Sequence, residues 1–306
     1  MSEIKEIPPA ATPEPPVARV PFSERLYDGT QHLIAGLVGA RRKPPRLFKS
    51  LLNGTWLGHP LHPLLTDVPV AAWVLTGLFD IIWLIAPATN AWAARAAEVT
   101  VLAGLVGAAG AIATGLTDWS DTYGRERSVG FLHGLFNIIA FGLYLASAIL
   151  RFTLAASGET LLGAVLGFIG LAVMAYAAYL GGDMVFTQGT GVNHTAWEPA
   201  GDDFEPVMPL AEIAENQLYR VMAAGAPAVL LRSGDRVYAI GATCPHAGGP
   251  LDEGPLRGTV VECPWHASRF RMTDGKVLTG PATVNAARYE VRIHEGQVEI
   301  KRRATH

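Results

Sequence analysis

Hydrophobic positions fall in long unbroken runs up to about residue 185 and in short alternating ones after about residue 205. Uncharged runs cover 99–117, 129–150 and 160–182, each near the roughly 20 residues a helix needs to cross hydrocarbon. A fourth run, 64–86, contains Asp67 and Asp80, but its core is apolar and both charges fall near its ends, where solvation or bundle contacts are at hand. The pattern predicts four transmembrane helices in an up-down bundle. Gly and Ala concentrate at 104–115 and 163–182, as expected where helices approach closely in lipid. Farther on, alternating segments at 228–232, 236–240, 289–294 and 297–301 are divided by turn residues such as Asp274-Gly275 and Glu295-Gly296. That is the signature of a small antiparallel β domain.

The chain thus reads as multi-domain: an all-α four-helix transmembrane bundle followed by a small all-β domain. The expected divisions are a cytoplasmic N-terminal tail with an interfacial helix (1–50), the membrane domain (51–185), a linker (186–205) and the β domain (206–303). Leu26, Leu33, Leu37, Leu47, Leu51 and Leu52, beside basic residues, fit one or two short interfacial helices, or equally a packed cytosolic helix. Residues 1–23 contain no apolar stretch of signal-peptide type, and 8–16 is Pro-rich and expected to be disordered.

Composition agrees with a membrane protein. Of 306 residues, 50% are hydrophobic and 17% charged, against roughly 25% charged in soluble domains. The formal net charge is −3, and no nucleic-acid partner is expected. Arg41, Arg42, Lys43, Arg46 and Lys49 precede the first span and Arg125 and Arg127 follow the second, whereas the other two connections offer only Arg95 and Arg151. The positive-inside rule then puts both termini and the β domain in the cytoplasm, at the inner membrane.

Candidate chemistry is concentrated in the β domain. The only two cysteines stand in Cys244-Pro245-His246 and, after sixteen intervening residues, Cys263-Pro264-Trp265-His266. A disulfide would leave the matching histidines unexplained, so the spacing points to metal. Two thiolates and two imidazoles satisfy zinc; the alternation of sulfur and nitrogen equally suits a [2Fe–2S] cluster with two Cys on one iron and two His on the other.

Through 244–251 (CPHAGGPL), 263–270 (CPWHASRF) and 280–283, the region 206–303 resembles the Rieske [2Fe–2S] family. The resemblance implies that Cys244 and Cys263 bind the buried iron, and His246 and His266 the outer one. Its pattern looks like that of the soluble Rieske ferredoxins of ring-hydroxylating oxygenase systems. Gly249 and Trp265 stand where respiratory relatives carry an extra disulfide, and Phe270 replaces a tyrosine donor while Ser268 is kept. A potential toward the low end of the range of about −150 to +300 mV is expected.

Residues 50–195 resemble a family of small four-helix bacterial membrane proteins of unassigned function, marked by His59-Pro60-Leu61-His62-Pro63. The predicted topology gathers His59, His62, Asp67, Asp118, His133, Asn137, Asp183 and His194 near the cytoplasmic face. Three readings follow for them: axial ligation of haem b by His133 with His59 or His62, a quinone or proton site, or structural capping. The function expected is a membrane-anchored one-electron carrier serving a redox partner protein, a reductase or an oxygenase. The alternatives are a subunit of a membrane oxidoreductase with haem b or quinone in the bundle, and a redox sensor. Too few residues follow the cluster phrases for an oxygenase catalytic domain, and no G-x-G-x-x-G phrase follows a strand.

Overall fold

The computed structural model describes residues 22–38, 47–154 and 161–303. The Pro-rich segment 8–16, the basic residues Arg41, Arg42, Lys43 and Arg46, the first residue of the 160–182 run and His306 lie outside the described residues.

The four apolar runs form the helices α3 (Leu61–Ile85), α4 (Ala91–Trp119), α5 (Gly124–Leu154) and α6 (Leu161–Phe186). All four are long and apolar enough to cross a membrane, with mean hydropathy from 1.8 to 2.2. Helix α3 packs most closely on α4 and α5 on α6, so the bundle is two hairpins laid side by side. Trp73, Val101, Leu105, Ala108, Ala140, Tyr144, Ala148 and Met174 fill the centre. Outward-facing residues such as Ile85, Val106 and Tyr179 are 70–77% exposed, a surface that lipid covers without penalty.

Helix α5 outruns its apolar stretch because Arg151, expected in a connection, lies inside the helix with 1% exposure and meets the equally buried Asp80 of α3. The contact is bidentate, at 2.8 and 2.6 Å, and mutual neutralisation is what lets both charges enter the bundle. Midway along the bundle the rings of Trp73 and Tyr144 stack at 4.0 Å. Gly104 makes this possible, since a Cβ there would fall 2.1 Å from the Trp73 ring nitrogen.

Two amphipathic helices, α1 (Phe22–Leu37) and α2 (Leu47–Asn53), precede the bundle. Helix α1 buries Ile34, with Val38 just beyond it, against Trp119 and leaves Leu33 and Leu37 exposed. Lys49 of α2 is buried beside Asp121 at 2.6 Å. At the other end of the bundle sequence, α6 continues to Phe186, so Asp183 sits in its last turns. The segment that follows is pinned to the β domain: Pro199 O accepts a bond from Arg302 Nη1 at 2.7 Å.

The β domain comprises β1 (Glu205–Pro209), β2 (Leu218–Ala223), β3 (Ala226–Ser233), β4 (Arg236–Gly241), β5 (Leu256–Arg257), β6 (Val260–Glu262), β7 (Arg269–Arg271), β8 (Val277–Thr279), β9 (Tyr289–His294) and β10 (Gln297–Arg302). They form three antiparallel sheets, ordered β1-β10-β9, β2-β3-β4 and β5-β6-β7-β8. The β9–β10 hairpin closes on Glu295-Gly296, both at positive φ (50° and 78°), as a two-residue type I′ turn requires. The core around Val229, Leu231, Ile240, Val261 and Phe270 also contains Cys244 and Cys263.

Candidate metal centre

Each cysteine phrase folds on the same pair of backbone bonds. After β4, Cys244 N donates to Gly249 O at 2.8 Å and Gly248 N to Cys244 O at 2.9 Å. After β6, Cys263 N donates to Ser268 O at 2.7 Å and Ala267 N to Cys263 O at 3.0 Å. The fourth residue after each cysteine takes a left-handed conformation, Gly248 at φ 81° and Ala267 at φ 60°. Each turn so closed holds one cysteine and one histidine in a single tight loop, and the prolines that follow each cysteine stiffen it.

The result is two layers. Cys244 and Cys263 lie beneath, 1% and 2% exposed, while His246 and His266 lie above with ring centroids 4.8 Å apart. His246 Nδ1 and His266 Nε2 are buried without a hydrogen-bond partner among the described residues, an arrangement that is costly unless a ligand takes the lone pair. Burial, and next the neighbouring His266, pushes His246 down to about 3; burial likewise lowers His266. Both shifts favour the neutral ring, the form that binds metal. A hydrogen bond from the Cys244 thiol holds Cys263 low, at about 7, while the same bond and burial push Cys244 up. The backbone N–H groups of His246 and Ala247 also point at the Cys244 sulfur, and those of Trp265 and His266 at Cys263. Such donors stabilise thiolate and tune a cluster.

The donor set fits a dinuclear cluster better than a single ion. Among the described residues no three His, Cys, Asp or Glu side chains converge on one ion position, whereas a structural zinc takes four. A sulfur pair and a nitrogen pair in separate layers offer each of two irons its own two ligands. Gly249 and Trp265 lie against each other: a Cβ at Gly249 would fall 2.8 Å from Cys263 Sγ and 3.1 Å from the Trp265 ring. The two positions that the resemblance matches to a bridging disulfide thus pack here as glycine against indole. Phe270 and Ser268 are fully buried, and Ser268 Oγ accepts a bond from Ala282 N at 2.9 Å.

Residues 203–290 match the family model described as the Rieske [2Fe-2S] domain. The chain is 36% identical over 91 residues to "Ferredoxin CarAc" of Metapseudomonas resinovorans, 29% of this chain and 85% of that one. It belongs to the Rieske [2Fe–2S] family. A second relative of this Rieske protein is the "Naphthalene 1,2-dioxygenase system, ferredoxin component" of Pseudomonas putida, 33% identical over 30% of this chain and 88% of that one. Among solved structures, the "Ferredoxin of carbazole 1,9a-dioxygenase from Nocardioides aromaticivorans IC177" is 25% identical, covering 33% of this chain and all of that one, with a TM-score of 0.32. Residues 58–194 match the model described as "Predicted membrane protein (DUF2231)". This is therefore a Rieske electron-transfer protein with a membrane domain, and its Rieske domain implies a [2Fe–2S] cluster.

The cluster loops of this Rieske protein rest on the end of the bundle. Tyr123, between α4 and α5, lies 5.2 Å from the His266 ring. His194 N donates to Pro245 O at 3.0 Å, and Thr55 Oγ1 to Ala282 O at 3.3 Å. His59, Pro60 and Asn193 line a cavity of about 160 Å³ with Pro245, His246 and Pro281. It is smaller than the roughly 300–1,000 Å³ of small-molecule sites. A larger hollow of about 300 Å³ lies across Arg236, Tyr238 and Arg292, away from the cysteine and histidine loops.

The polar residues expected at the membrane face are not one cluster. His62 and His133 meet, with ring centroids 6.2 Å apart, and Asn137 Nδ2 lies 3.2 Å from His133 Nε2. His59 and His194 are exposed beside the cluster loops, and Asp67 is exposed on the outside of α3. Asp118 accepts a bond from Asn53 at 2.6 Å and Asp183 one from Gln188 at 2.8 Å. Sequence reasoning missed Tyr123, an isolated aromatic in a short connection, for which no local signal exists.

Proposed function

We propose that this chain is a membrane-anchored one-electron carrier, with Cys244 and Cys263 on one iron, His246 and His266 on the other, and the cluster at the cytoplasmic face. The observation that carries the reading is the pair of buried thiols in the same two loops as two imidazoles 4.8 Å apart, each with a ring nitrogen that lacks a partner among the described residues. When bound, the cluster accepts and returns one electron. The protein's own part is to keep the sulfurs dry, donate backbone N–H groups to them and hold both rings in one orientation. His266 meets Tyr123, so one route for electrons leads toward the bundle, while the half-exposed Trp265 leaves a side open to a soluble reductase or oxygenase.

Orientation rests on charge. Lys49, Arg125 and Arg127 lie at the end of the bundle that carries the Rieske domain. At the far end Arg151 is consumed by Asp80, leaving Arg95 beside Glu98. The bias favours a cytoplasmic Rieske domain at the inner membrane.

The potential should be low. Phe270 cannot donate to the cluster, and four backbone amides on two sulfurs are a smaller donor set than one supplemented by a tyrosine hydroxyl. A redox titration of the purified chain is expected to place the midpoint toward the low end of the family range; a value above about +150 mV would contradict this.

A further inference from the structure

Superposing the two hairpins by sequence exposes a repeat. His62 and His133, Trp73 and Tyr144, and Asp80 and Arg151 are three pairs with one spacing, 71 residues. The partner helices match with a second spacing. His62 Nδ1 lies 2.8 Å from Ala111 O on α4, and His133 Nδ1 lies 2.8 Å from Ala177 O on α6. One turn beyond each carbonyl stands a glycine under the ring: a Cβ would come within 2.7 Å of His62 at Gly115 and 3.0 Å of His133 at Gly181. Gly104 receives Trp73 and Gly170 receives Tyr144 in the same way. Each repeat is a helical hairpin, and α3 and α5 run in the same direction, so the approximate two-fold axis lies along the membrane normal. Every pair named meets its own counterpart across that axis.

We infer that α3–α6 is a duplicated hairpin whose axial His62–His133 pair forms the two axial ligands of a b-type haem. A carbonyl can only accept, so Nδ1 of each ring carries the proton and Nε2 carries the lone pair. That is the tautomer and the carbonyl partner typical of a metal-bound imidazole. Two imidazoles sharing one metal at about 2 Å each have ring centres roughly 6 Å apart, and the observed separation is 6.2 Å.

A bare ion fits poorly. No third His, Cys, Asp or Glu joins the pair among the described residues, and zinc sites draw three or four protein ligands. Iron in a porphyrin asks for two, because the macrocycle supplies the rest. The plane of such a ring would stand in the seam between the hairpins, which is packed more sparsely than either hairpin within itself. One contact breaks the symmetry: Asn137 Nδ2, also bonded to His133 O at 2.9 Å, has to turn away from His133 Nε2 on loading.

The site sits at the Rieske end of the bundle. His62 follows His59 by three residues, and His59 lines the cavity against His246. For the source of its electron, and only for that, the inference rests on the carrier reading above: one electron arriving from the Rieske side converts ferric to ferrous iron, with no bond made or broken.

The test uses the full chain, produced with ample iron and haem precursor, purified in detergent and titrated with hemin. About one haem per chain is expected, with a Soret band and a sharp α band on reduction. His62→Ala and His133→Ala should each weaken binding by more than about tenfold while the electron paramagnetic resonance (EPR) signal of the Rieske cluster persists. Should either variant fail to fold, His62→Met is to be read instead; it should keep haem with an altered spectrum, as histidine–methionine ligation does. A folded chain with its Rieske signal that takes up no haem overturns the inference, as does haem binding untouched by both substitutions. Loss of the Rieske signal in the unmutated chain would instead strike the carrier reading, leaving the optical result to decide the haem.

Discussion

His266→Cys should abolish the Rieske-type EPR spectrum, replacing it with the signal of a cluster with a single nitrogen ligand, His246. The spectrum of this family arises from two imidazoles on one iron, and His266 is one of two rings placed for that task, 4.8 Å from the other. Cys263→Ser should go further and remove iron almost completely, because serine supplies no soft thiolate at a position that is 2% exposed. Iron and acid-labile sulfide per chain, measured beside the spectrum, separate the two outcomes. An unchanged Rieske spectrum in His266→Cys would break the ligand assignment.

Asp80→Ala should be the most destabilising single change in the bundle. It strands the Arg151 guanidinium, 1% exposed, between apolar helices, and breaking a buried ion pair from one side costs about 3–5 kcal/mol. For a chain of this size that corresponds to a fall in Tm on the order of 10 °C in detergent. The double variant Asp80→Leu/Arg151→Met should recover most of the loss, since removing both charges leaves nothing unpaired. A single variant as stable as the parent, by thermal unfolding followed on the helix signal, would show that the pair is solvated.

The spans were legible because lipid demands continuous apolar runs, and the β hairpins because alternation and turn residues mark them locally. The cluster phrases were legible for a similar reason: each holds its cysteine and histidine within a few residues. Asp80 and Arg151 were visible only as interruptions, since neither position announces a partner 71 residues away. The duplication left one faint trace, Leu61-His62-x-Leu64 against Leu132-His133-x-Leu135, because the repeat preserves ring-on-glycine packing rather than identity. Trp73 and Tyr144 do one job with two residue types. The docking of the cluster loops on Tyr123, Thr55 and His194 depends on long-range contacts that no periodicity encodes.

The central claim is that one chain holds a Rieske centre on a membrane bundle. Its most direct test is EPR spectroscopy of dithionite-reduced membranes containing the unmutated chain, with iron and sulfide counted after detergent extraction. The account predicts a Rieske-type signal that stays with the membrane fraction through salt washing, with two irons and two sulfides per chain. Stoichiometric zinc in place of iron, or a signal of the all-cysteine type, would contradict it.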